Sequence, residues 1–128
     1  MKLNHECVRE LLLYCEEELD YNQSVDLNDI NIGYKIEDLI YTTKKLKEAG
    51  YINAEIVKNV LDEIYVYIHD ITWEGHKFLD TIRDNEVWST TKKVLSKVSS
   101  ASITFVSTVA SQVLQNIIQQ NLTQFNVF

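Results

Sequence analysis

Residues 69–82, HDITWEGHKFLDTI, bring together two histidines, two aspartates, a glutamate and a tryptophan. Imidazoles and carboxylates at this density are the side chains of zinc ligation and of general acid–base catalysis. A metal site built from His69, Asp70, Glu74 and His76 needs three or four of them to converge. The spacing His-x4-Glu-x-His matches no zinc signature, and a strand running into a helix at this point sends Asp70 and Glu74 away from His76. A hydrolytic dyad of His76 with a serine or cysteine lacks a nucleophile elbow. Gly33, Gly50 and Gly75 are too scattered to form a phosphate-binding loop, and paired carboxylates occur only on solvated helix faces. The stretch is therefore expected to be architecture, with no catalytic role, no metal and no cofactor. Trp73, His76 and Phe78 are expected to pack, and Trp88 to join them in the core.

The elements around this stretch follow from periodicity. HECVRELLLYCEEEL sets Val8, Leu11, Leu12, Cys15 and Leu19 at spacings of three and four, an amphipathic first helix. Turn formers follow, and Leu27, Ile30 and Ile32 suit a short strand before Gly33. A second helix over roughly 35–49 turns Ile36, Leu39, Ile40, Thr43 and Leu46 inward and closes at Gly50, expected to be left-handed. YINAEIVKN and LDEIYVYIHDIT alternate as an antiparallel hairpin. Thr72 then caps a third helix, Glu74 lies where the helix dipole favours an anion, and Gly75 lets the first turn approach the sheet.

Charge narrows the possible partners. Of the net −7, residues 1–33 hold two cationic side chains against eight carboxylates. Residues 34–97 are nearly balanced, and residues 98–128 carry no charge. An acidic chain is repelled by phosphate backbones, so only a local basic face could meet nucleic acid. No apolar run reaches the roughly 18 residues of a membrane span, and Glu6, Arg9 and Glu10 interrupt any signal peptide, so a cytoplasmic protein is expected. Cys7 and Cys15 lie about 12 Å apart along one helix, too far for a mutual disulfide, and are expected as buried thiols.

Helix, short strand, helix, hairpin, helix is the order of a winged helix-turn-helix. The expected fold is α+β and mostly helical, with a small antiparallel β-hairpin wing and a long C-terminal helix. Residues 1–84 would form the winged-helix domain and 85–128 an amphipathic extension. The opening MKLNHECVRELLLY, the phrase LKEAGYI, and TWEGHKFLDTIRDNEVWSTTKKVL with its Ser-rich tail together resemble the YjcQ-like family of uncharacterised bacterial and phage winged-helix proteins. The resemblance covers nearly the whole chain and implies a winged-helix fold with no established activity. Where that family is expected to carry a Tyr-His pair on the second helix, this chain has Tyr41 and Thr42, so any role of that histidine is missing.

Two surfaces carry the functional expectation. The outer face of the second helix would show Tyr41, Thr42, Lys44 and Lys45, with Lys35 at its start, as contacts for double-stranded DNA. Glu37, Asp38 and Glu48 oppose them, and the wing tip sets Lys58 against Glu55, Asp62 and Glu63. The expected function is a DNA-binding regulator of bacterial or phage origin that dimerises through its C-terminal helix, supported if the lysines form a contiguous patch; carboxylates breaking into that patch would favour the alternative, a protein-interaction module that binds no nucleic acid. In the tail, Ile103, Val106, Ala110, Val113 and Ile117 approach a heptad seam, expected to make a homo-oligomer, or else to fold back on the domain. Membrane contact is disfavoured, since only Lys92, Lys93 and Lys97 could reach anionic lipid.

Overall fold

The computed structural model describes residues 1–124. The end of the expected 85–128 extension, residues 125–128, lies outside the described residues. The chain divides into two compact units, Met1–Leu79 and Asp80–Phe128, a few residues before the boundary expected after residue 84.

The first unit begins with α1 (His5–Glu18), capped by Asn4, whose Oδ1 accepts the amides of Glu6 at 3.0 Å and Cys7 at 3.2 Å. Val8, Leu11, Leu12 and Cys15 of the expected stripe are buried, joined by Cys7, while Leu19, expected with them, is the half-exposed residue that ends the helix. The strand after it is shorter and earlier than its apolar alternation suggests. β1 is Val25–Asp26, and Leu27–Asp29 wind into a single 3-10 turn started by Asp26, whose side chain accepts the Asn28 amide at 2.9 Å. Leu27 and Ile30 are still buried, delivered by a turn instead of a strand.

α2 (Ile36–Glu48) follows, then Gly50 at φ 79° and the hairpin of β2 (Ile52–Lys58) and β3 (Ile64–Ile71). The sheet order is β1-β3-β2, antiparallel throughout, and both α1 and α2 pack in this unit. That is the arrangement of a winged helix in which one 3-10 turn replaces the usual helix between β1 and α2. Pairing runs Ala54 to Ile68 and then Asn53 to Asp70, so His69 is the extra residue of a β-bulge. The bulge lets Ile68 and Ile71 both face the core while His69 and Asp70 stay outside.

α3 (Trp73–Ile82) leaves the sheet as expected. Thr72 Oγ1 accepts the Gly75 amide at 3.0 Å and donates to the Gly50 carbonyl at 2.6 Å, tying the helix start to the turn after α2. Phe78 is buried and stacks on Tyr51, ring centroids 5.0 Å apart. Trp73 departs from expectation: it stands 78% exposed, because the capped first turn buries Gly75 and Phe78 and leaves residue 73 on the opposite side.

The second unit holds the expected long C-terminal helix and, before it, a separate shorter one. α4 (Asn85–Leu95) is capped by Asp84, and α5 (Ile103–Gln124) begins at Ser102, whose Oγ accepts the Phe105 amide at 3.1 Å. The interruption has a local cause. Ser96 Oγ donates to the Lys93 carbonyl at 2.6 Å just past the end of α4, and Ser102 caps α5, so serine side chains bond the backbone on both sides of the break. α4 and α5 pack against each other, and Trp88 is buried with Val87 and Thr91 on α4. Ile103, Val106, Ala110 and Val113 are buried within the chain, and Ile117 is half-buried. The stripe expected to seal an oligomer is thus largely covered already.

Candidate functional site

Three places concentrate polar or exposed apolar side chains: the outer face of α2, the wing tip, and a cleft beside the β3 bulge.

On α2 the buried line is Leu39, Thr42, Thr43 and Leu46, while Ile36 is exposed and Ile40 half-exposed. The buried stripe is therefore centred about half a residue from the expected one, toward Thr42. Thr42, expected outside as a DNA contact, is 1% exposed, and its hydroxyl donates to Cys7 Sγ at 3.3 Å. Burial raises the Cys7 thiol above its ordinary value despite that bond. Tyr41 is half-buried and its hydroxyl donates to the Met1 carbonyl at 3.2 Å. Lys45 Nζ lies 5.3 Å from the Tyr41 ring centroid and 2.9 Å from Glu48 Oε2. That hydrogen bond raises the Lys45 pKa and lowers that of Glu48, each stabilising the other's charged form. Lys35 and Lys44 are exposed as expected, and so is Lys47, which the sequence reading left out. Glu37 is exposed on the same side, one turn from Tyr41 and two turns from Lys44. The lysines of the outer face are therefore interleaved with carboxylates.

The wing tip is a braced turn. Asn59 Oδ1 accepts the amides of Leu61 and Glu63, each at 2.9 Å, and the Asn59 amide donates to the Glu63 carbonyl at 3.0 Å. Asp62 adopts φ 64°, a conformation an aspartate tolerates, and Lys58 Nζ is 3.5 Å from its carboxylate. Tyr65 donates to Glu63 at 2.7 Å, and that bond raises the Tyr65 pKa. This bracing holds Val60 at 99% and Leu61 at 74% exposure, with Ile56, Val57 and Ile64 also exposed on the hairpin.

The cleft, about 420 Å³, is lined by the end of α1, residues 19–24, the end of β3 and His76 of α3. His69 Nδ1 shares a 2.6 Å hydrogen bond with Ser24 Oγ, and His69 Nε2 is 3.6 Å from Glu55 Oε2. Hydroxyl, imidazole and carboxylate in this order resemble an activated nucleophile. All three are solvent-exposed, and 3.6 Å exceeds hydrogen-bond length, so the imidazole lacks the fixed, dry setting such a base requires. Ser24 and His69 are 45 residues apart, and only the bulge aims the ring at the serine. Of the residues weighed for a metal, His69, Asp70 and His76 line this cleft, while Glu74 lies 3.6 Å from Lys77. Among the described residues no group of three or more His, Cys, Asp or Glu side chains could hold an ion.

Fold and surfaces together define a winged-helix protein that ends in a long C-terminal helix. The chain belongs to the family described as Hypothetical protein (DUF2513), whose model matches residues 2–102, from the start of the winged helix to the residue before α5. It is 34% identical over 122 residues to an uncharacterised protein of Haemophilus influenzae, covering 95% of this chain and 99% of that one. No solved structure matches. An uncharacterised family was expected and is found; the likeness of TWEGH and its neighbours to the YjcQ-like family stands as a resemblance only.

Proposed function

We propose that the protein is a non-enzymatic winged-helix module that works by contacting protein, and not a sequence-specific DNA-binding regulator. The observation that carries this is the interleaving of Glu37 and Glu48 with Lys44 and Lys45 on the outer face of α2. A recognition helix must present donors and cations to phosphates and base edges; here one lysine is drawn to a carboxylate and Thr42 is inside. The wing supports the same reading, since its tip carries Asp62 and Glu63 against Lys58 and shows apolar side chains to solvent. Exposed Trp73 adds a side chain of the kind that anchors protein interfaces. Free, buried Cys7 and Cys15 support a reducing, cytoplasmic setting.

The DNA-binding alternative, a regulator of bacterial or phage origin, is favoured by the exposure of Lys35, Lys44 and Lys47 at the recognition-helix position. Titration with a pool of random duplex DNA at low and then physiological salt separates the two. The interaction module predicts no saturable binding, and no difference between the wild type and Lys44→Glu/Lys45→Glu. Saturable binding that weakens with salt and vanishes in the double variant would overturn it.

A further inference from the structure

We propose that the wing of one copy of this chain docks on the C-terminal end of α4 of a second copy. The inference rests on the protein-contact reading above and names its partner. The wing tip offers two apolar side chains on a turn already fixed by Asn59, so little ordering is lost when it is covered. In the same turn stand Asp62 and Glu63, with Lys58 3.5 Å from the Asp62 carboxylate.

The end of α4 is the complementary surface. Val94 is 42% and Val98 45% exposed, one helical turn apart, with the Val98 amide continuing the helical turn to the Leu95 carbonyl at 3.1 Å. Lys93 and Lys97, also one turn apart and both exposed, run beside them. From residue 87 to the end the sequence contains no carboxylate side chain and three lysines, whereas residues 1–79 hold eight cationic side chains against sixteen carboxylates. An apolar pair with an acidic border thus faces an apolar pair with a basic border, and both occur on every copy. DNA and anionic lipid fit the acidic wing poorly.

Each patch is small, so the contact is expected to be weak, with half-association on the order of 100 µM, and sensitive to salt. The two patches differ, so the contact is reciprocal in a closed pair or extends as a chain.

Sedimentation velocity of the full chain from low to high micromolar concentration, at low and high salt, provides the test. Expected is a concentration-dependent rise in mass that weakens about tenfold at high salt. Val60→Lys/Leu61→Lys and Lys93→Glu/Lys97→Glu should each abolish it. These positions are exposed, and circular dichroism checks that both variants fold. Mixing the two variants should restore association between unlike copies, because the intact wing of the α4 variant then meets the intact α4 end of the wing variant. A monomer under all conditions, or association that both variants retain, overturns the docking. If DNA titration is also negative, the broader protein-contact function stands without it; saturable DNA binding would remove both.

Discussion

Gly75 is pressed against the carbonyl of Tyr51: a Cβ at residue 75 would overlap that oxygen and lie 2.8 Å from Ile71 Cγ2. The contact closes α3 onto the turn between α2 and β2, where the Thr72 amide also bonds to the Tyr51 carbonyl at 3.0 Å. Neither atom beside the new Cβ is the loose end of a side chain, so the backbone itself would have to move. Gly75→Ala should cost about 3 kcal/mol, read as a lowered urea midpoint at unchanged slope. Gly50→Ala, which meets open space but forces alanine into φ 79°, should cost only about 1 kcal/mol.

Thr42 and Thr43 are both buried, yet only one has a partner. Thr42 donates to Cys7 Sγ, whereas Thr43 Oγ1 has no hydrogen-bond partner among the described residues. Thr42→Val should destabilise by about 1 kcal/mol, and Thr43→Val, which replaces an unsatisfied hydroxyl with a methyl, should be neutral or stabilising by up to about 1 kcal/mol. Equal losses at both positions in chemical denaturation would show that the hydroxyls are not distinguished.

Burial pushes the Cys15 thiol up to about 12 from its ordinary 9.0. Between those values the unfolded chain has released the proton and the folded chain retains it. Stability should therefore fall as pH rises above about 9, by about 1.4 kcal/mol per pH unit from this thiol alone. Cys15→Ala should flatten that alkaline limb. Native protein should react slowly with a thiol reagent at pH 8, and rapidly in denaturant.

Trp73 and Trp88 sit in opposite environments, 78% and 4% exposed. In Trp73→Phe the remaining emission should be blue-shifted and resistant to acrylamide. Trp88→Phe should leave a red-shifted, readily quenched signal, though it should also lower stability by about 1–3 kcal/mol.

Local chemistry alone determined much of this molecule. The stripe of α1, the β2–β3 alternation, the left-handed Gly50, the Thr72 cap and the need for Gly75 are all written in short-range spacing and side-chain size, and the winged-helix order follows from them. Tertiary contact decided the features on which function depends. Periodicity gives the width of a helical stripe but not its centre, and a threonine fits either face. Contact with Cys7 turned Thr42 inward, so the outer face of α2 lost one expected contact. The bulge at His69 arose because Ile68 and Ile71 both had to reach the core, an odd spacing that strict alternation cannot satisfy. Serine bonds to the backbone broke the tail into α4 and α5, and the packing of the pair covered a stripe that, taken alone, reads as an oligomer seam. Exposure is a property of what lies opposite a residue, so the bare Trp73 and the apolar wing tip could be found only in three dimensions.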